Sequence, residues 1–187
     1  GSLEKGIDYI GDLDEFEESL KAHVAIAETY GPYRLSLHSG SDKFSIYPYF
    51  DEYASDRQHV KTAGTSYLEA VHVISEKEPD LYRDIHEFAL ERFDEDKKTY
   101  HVDTDLSKVP DIDELADGEL PTILEQDDGR QLLHITYGSV LTATDDGEFR
   151  FKDDFMAALR EHEQTHYDFL EDHLGHHVDL LTGVIDE

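Results

Sequence analysis

The 187-residue chain carries 45 Asp and Glu against 16 Lys and Arg, a formal net charge of −29. A surface this acidic repels nucleic acid and anionic membranes, which excludes both as partners. With no cysteine there is neither a disulfide framework nor a thiolate metal site.

The length suits one domain with a real core. Residues 3–187 read as that single α/β domain, and Gly1-Ser2 reads as a cloning remnant. Hydrophobic residues make up only 38%, but they fall in periodic segments, which argues against disorder. No apolar run approaches transmembrane length and the start does not resemble a signal peptide, so a cytoplasmic protein is expected. Abundant carboxylates with little lysine are also the mark of salt-adapted, halophilic proteins. The melting temperature is therefore expected to rise with added salt, as screening relieves self-repulsion. A melting temperature indifferent to salt would refute this.

In chain order, residues 7–10 are a short strand candidate. Asp12 or Asp14 can cap a helix over about 14–29, which Gly31-Pro32 stops. Residues 33–38 alternate polar and apolar and read as a strand: Leu35 and Leu37 share one face, Arg34, Ser36 and His38 the other. An aromatic segment follows from Phe44 to Tyr53. Residues 59–63 form another strand candidate, ending in Gly64-Thr65-Ser66. A long helical region over about 66–98 is expected to break near Glu78-Pro79. Residues 100–102 suggest a brief strand. The acidic stretch 103–130 is loop-like, with one short helix at 113–116. Residues 132–137 read as the last clear strand, and a helix over about 152–181 closes the chain.

Strands alternating with helices predict an α/β fold with parallel strands. Too few strands are visible for a closed eight-stranded barrel, which takes about 250 residues. The expectation is an open α/β layer, or part of a TIM-barrel-like fold whose other strands lie elsewhere.

Three parallel strands would aim His38, Lys61 and His134 at one region. Asp42, Lys43 and Thr65 would follow in the loops, and Thr136 would share the face of His134. Two histidines and a carboxylate suit a divalent metal such as zinc or manganese. A neighbouring lysine could bind an anionic substrate or carry a proton. Taken singly, a strand histidine is more often a hydrogen-bonded structural residue, and a strand-end lysine is more often solvated.

The runs YRLSLHSGSDKFSIYP at 33–48, HVKTAGTSYLEA at 59–70 and LLHITYGSVL at 132–141 resemble the tagaturonate epimerase family. YHV at 100–102 and HLGHH at 173–177 are similar too. The resemblance covers about residues 7–181. Family members are much longer, and the chain looks like their C-terminal portion. The resemblance implies a metal-dependent isomerase with a barrel-like fold, which interconverts tagaturonate and fructuronate in hexuronate breakdown. Missing strands would come from further residues or from a second copy in a homo-oligomer.

The two keto-acids differ at a carbon whose hydrogen is not acidic, so simple proton abstraction cannot invert it. Breaking and re-forming the adjacent carbon–carbon bond can. Such a retro-aldol route needs a Lewis acid, a base for the hydroxyl proton and a cation for the carboxylate. On this reading His38 and His134 are metal ligands, with Asp42 a candidate third. Lys61 or Lys43 binds the carboxylate or moves the proton. Ser39, Ser41 and Thr65 hold substrate hydroxyls, with Thr136 beside them, and His101 is a reserve ligand or acid–base group. Transient oxidation of the hydroxyl is the other route, but no glycine-rich dinucleotide fingerprint follows a strand.

Residues 162–166, HEQTH, match the zinc-protease helix signature, with His173 or Glu171 as a third ligand. Only three positions are fixed by that pattern. His162, His166, His173 and His177 also continue the line of Phe155 and Leu159, as an amphipathic helix would. His173, His176 and His177 offer an adventitious metal site, but they read better as a helix end where polar groups meet unpaired carbonyls. A non-catalytic module is the remaining alternative.

Overall fold

The computed structural model describes residues 2–31, 33–38, 42–61 and 66–183. The chain is mostly helical, with two small sheets. Helix α1 (Leu13–Tyr30) starts where Asp12 accepts a hydrogen bond from the Glu15 amide at 2.9 Å. It ends at Gly31, whose φ of 150° lies outside the ordinary range for residues with a side chain. Strand β1 (Leu35–Leu37) pairs in parallel with β2 (Gln58–Val60), and Ser36 lies opposite His59. Helix α2 (Tyr47–Ala54) connects them and carries the aromatic segment inward through Tyr47 and Phe50.

The long helical region divides as its proline requires. Helix α3 (Ser66–Lys77) ends before Glu78, and α4 (Pro79–Asp96) begins with Pro79, which has no N–H to lose there. Short 3₁₀ turns fill much of 106–125. Helix α5 (Asp127–Thr142) follows, then a hairpin of β3 (Thr144–Asp145) and β4 (Glu148–Phe149). Helices α6 (Lys152–Glu161) and α7 (Glu163–Thr182) close the chain, separated at His162, whose φ of −108° and ψ of 35° interrupt the helix.

Two apolar clusters form the interior. The larger joins α3, α4, α5 and α6 through Val71, Ile74, Phe93, Leu132, Leu133 and Phe155. The smaller packs α1, β1 and α2 through Leu20, Leu37, Ile46, Tyr47 and Phe50. Helix α7 packs against both α2 and α3 and so bridges the clusters. No helix among the described residues is long and apolar enough to cross a membrane.

Three strand expectations are corrected. Residues 7–10 and 100–102 are irregular, and residues 132–137 lie inside α5. The cause at 132–137 is burial on nearly every side: Leu132, Leu133, His134, Ile135 and Thr136 are all buried. A helix without a polar face loses the 3.6-residue signature and can mimic a strand. The Thr136 hydroxyl donates to the Leu132 carbonyl at 2.8 Å, one helical turn back. The expected α/β barrel segment is therefore reduced to one parallel pair of strands within a helical body. No closed barrel forms among the described residues.

The larger cluster encloses one imidazole that cannot be solvated. His86 is 0% exposed, and neither ring nitrogen has a hydrogen-bond partner. Burial lowers its pKa to about 4, against a modest opposing pull from Asp111. Between pH 6.5 and about 4 the unfolded chain binds a proton that the folded chain refuses. This contribution to stability is therefore complete above pH 6.5 and is lost as pH falls toward 4, on the order of 3 kcal/mol. Denaturant titrations across this range should show that slope. His86→Leu should remove one proton from it, and an unchanged slope would contradict the assignment.

Candidate metal centre and its cavity

Asp42 lies a few residues beyond β1 and is only 4% exposed. Its Oδ1 lies 3.0 Å from Nε2 of His177 and 3.2 Å from Nε2 of His173. The two Nε2 atoms are themselves 3.2 Å apart. Both imidazoles project from α7, where a four-residue spacing sets them one turn apart on one face. Phe44 wedges against them, with ring centroids 4.7 Å from His177 and 6.1 Å from His173.

Three donor atoms thus form a nearly equilateral triangle. A cation bonded at about 2.0–2.2 Å to nitrogen and oxygen ligands spaces neighbouring donors by about 3.0–3.5 Å. The observed edges fall in that interval. Without a cation the arrangement is poor: two ring nitrogens compete for one carboxylate oxygen and face each other. A divalent ion converts the convergence of lone pairs into attraction, so the residues fit such an ion. This is the only such group of three among the described residues.

The surroundings orient the donors. Glu69 on α3 sets its Oε1 3.3 Å from Nδ1 of His173, so a proton on Nδ1 leaves Nε2 available as a ligand. Arg130 on α5 holds Oδ2 of Asp42 through Nη2. Its Nε donates to the Gly6 carbonyl at 3.0 Å and its Nη1 to the Leu124 carbonyl at 3.4 Å. Burial alone would raise the Asp42 pKa. The hydrogen bonds to His173 and His177 and the charge of Arg130 outweigh it and hold the carboxyl far below its usual range. For His173, burial opposes the charged form, but the bond to Asp42 and the nearby Glu69 carboxylate prevail and raise its pKa.

Two members of the triangle, Asp42 and His173, line a cavity of about 360 Å³. Its walls include Asp8 from the N-terminal segment, Glu69 and His72 from α3, and Arg130 from α5. Asp8 is fixed there by accepting from the amide and hydroxyl of Ser45, both at 3.0 Å.

The residues expected at the site separate into groups. Asp42 stands in the triangle. His134 is buried on α5 with Nδ1 lacking a partner, and burial lowers its pKa to about 4. His38 is exposed at the end of β1. The two were expected to converge from neighbouring strands, and the helical state of 132–137 removes that geometry. Thr136 is buried and spends its hydroxyl on its own helix. Lys61 and His101 are exposed and do not line the cavity. Lys43 is 0% exposed, and its ammonium donates to the carbonyls of Glu4, Ile7 and Asp42. Burial lowers its pKa to about 8 despite the nearby carboxylates of Asp8, Asp42 and Glu4. Ser39, Ser41 and Thr65 lie outside the described residues.

For His173 and His177 the helix end was the preferred expectation over an adventitious metal site, and the structure makes them the partners of Asp42. Their four-residue spacing was the available signal. The protease motif does not assemble. The helix breaks at His162, whose Nε2 lies 3.4 Å from Glu78, and no metal-holding group among the described residues includes His162 or His166.

Comparison with known proteins fixes the class first: the similar proteins are epimerases. A tagaturonate/fructuronate epimerase of Thermotoga maritima is 49% identical over 183 residues, 98% of this chain. The native crystal structure of a fructuronate-tagaturonate epimerase from Cohnella laeviribosi superposes with a TM-score of 0.93 at 47% identity, over 97% of this chain. A glycerol complex of the same enzyme matches equally well. The tagaturonate epimerase family profile matches residues 1–181, and the chain belongs to that family. It spans 37% of the length of either relative.

Proposed function

We propose that this chain supplies the metal-binding wall of a tagaturonate/fructuronate epimerase. Its Asp42–His173–His177 triangle would hold a divalent ion, with zinc favoured and manganese the alternative. The observation that carries the reading is the donor triangle, set in a chain whose relatives are named as epimerases of these two keto-acids. Two imidazoles and one carboxylate are a borderline donor set that suits zinc, while a single carboxylate is few for magnesium or calcium.

The chemistry follows from the substrates. The inverted carbon bears a hydroxyl and lies one bond beyond the position next to the ketone. A base removes that hydroxyl proton. The carbon–carbon bond toward the ketone breaks, and its electron pair passes into an enediolate while the hydroxyl carbon becomes an aldehyde. Rotation of the aldehyde presents its other face, the bond re-forms, and the proton returns to the new alkoxide. The ion, when bound, supplies Lewis-acid stabilisation of the enediolate oxygens.

The chain's own groups do the rest. Glu69 and His72, three residues apart on α3, both face the cavity and are placed to take and return the proton. Glu69 also keeps Nδ1 of His173 protonated, which preserves the ligand tautomer. Phe44 closes the apolar side of the triangle against water.

Nuclear magnetic resonance on ¹³C-labelled tagaturonate tests the reading. With zinc or manganese present, fructuronate signals should grow to equilibrium. A chelator should stop the conversion, and restored metal should restart it. Absence of conversion with the metal demonstrably bound would contradict catalysis by this chain alone, and conversion that survived complete removal of the metal would contradict the metal-binding wall.

A further inference from the structure

We propose that Arg130 is the specificity-determining residue of this cavity: its guanidinium receives the substrate carboxylate and selects a sugar acid over a neutral sugar. The inference rests on the cavity being a keto-sugar-acid site.

The argument begins with charge. Asp8, Asp42, Glu69, Glu125 and Asp127 all line the cavity, and Arg130 is its one lysine or arginine among the described residues. The whole chain carries a net −29. A substrate with its own carboxylate meets repulsion from every direction except that of Arg130 and the metal triangle. The triangle is needed at the ketone end, which leaves Arg130 for the acid end.

Position agrees with charge. Asp42 joins the two sites, since Oδ1 faces the imidazoles and Oδ2 faces Arg130. One bound molecule could therefore reach both. Three anchors hold the guanidinium: the Gly6 and Leu124 carbonyls and the Asp42 carboxylate. They use three of its five N–H groups. The side chain keeps 21% exposure and lies on the cavity wall. A preorganised fork loses little entropy on gripping a carboxylate. The two lysines expected from sequence are placed elsewhere. Lys43 turns inward to backbone carbonyls, and Lys61 stands outside the cavity.

Calorimetric titration of the metal-loaded protein tests this. The ligands are tagaturonate, fructuronate and the matching neutral ketohexoses, which carry a primary alcohol in place of the carboxylate. The readout is the ratio of acid affinity to neutral affinity, with metal content measured for each variant. Arg130→Gln should lower that ratio by about 10- to 100-fold, the scale of a charge-assisted pair. Arg130→Lys, which keeps the charge without the fork, should recover part of it. An unchanged ratio in Arg130→Gln overturns the proposal, including the case where metal loss weakens both ligands together. In that case the epimerase reading stands. Failure of the unaltered, metal-loaded protein to bind either keto-acid overturns both.

Discussion

Asp42→Ala is expected to destabilise the metal-free protein by about 3–5 kcal/mol, the usual cost of removing one partner from a buried charged network. The carboxylate is 4% exposed and serves Arg130, His173 and His177 at once. Two effects compete. Removing one negative charge from a chain of net −29 relieves long-range repulsion. That gain is screened beyond about 8 Å in physiological salt and amounts to tenths of a kcal/mol. The local loss is larger, because Arg130 keeps its carbonyl anchors yet loses its counter-ion. In a chain of this length the melting temperature should fall by roughly 10 °C. Thermal unfolding in chelator measures it. A loss under about 1 kcal/mol would mean that Asp42 does not tie α5 and α7 together.

His177→Ala is expected to weaken divalent-metal binding by more than about 100-fold. Loss of an orienting partner alone costs 10- to 100-fold, and His177 is itself a donor. The 135-residue separation between Asp42 and His177 makes the effect informative, since the metal would bridge distant parts of the chain. Glu69→Gln should show the smaller loss, because it disturbs only the tautomer of His173. Competition with a chromophoric chelator ranks the variants. If His162→Ala weakened binding while His177→Ala did not, the metal would belong to the HEQTH segment instead.

Much of the local architecture was legible because it is written in local signals. The Asp12 cap, the Gly31 stop and the Pro79 break are chemical statements about single backbone positions, and they stand where the sequence puts them. Strands were expected at 33–38 and 59–63 from period-two alternation, and the described parallel pair joins 35–37 to 58–60, while the helix over Tyr47–Ala54 between them read only as an aromatic segment. Residues 132–137 misled because a helix buried all round has no polar face to reveal its period. That error displaced His134 and Thr136 from the imagined strand end.

The site was only half legible for a related reason. Asp42 was singled out because a small-residue turn after a strand presents it. Its partners lie on α7, and nothing local announces that α7 returns to pack on α2 and α3. The His173–His177 spacing was visible, but one turn of helix serves packing as readily as ligation. Only the long-range fold decides between them, by bringing a carboxylate to the same point.

The most direct measurement is anomalous diffraction from crystals soaked in zinc or manganese. The account predicts one strong peak about 2.0–2.2 Å from Oδ1 of Asp42 and from Nε2 of both His173 and His177. A fully occupied ion elsewhere, with the three side chains still bonded only to one another, would contradict it.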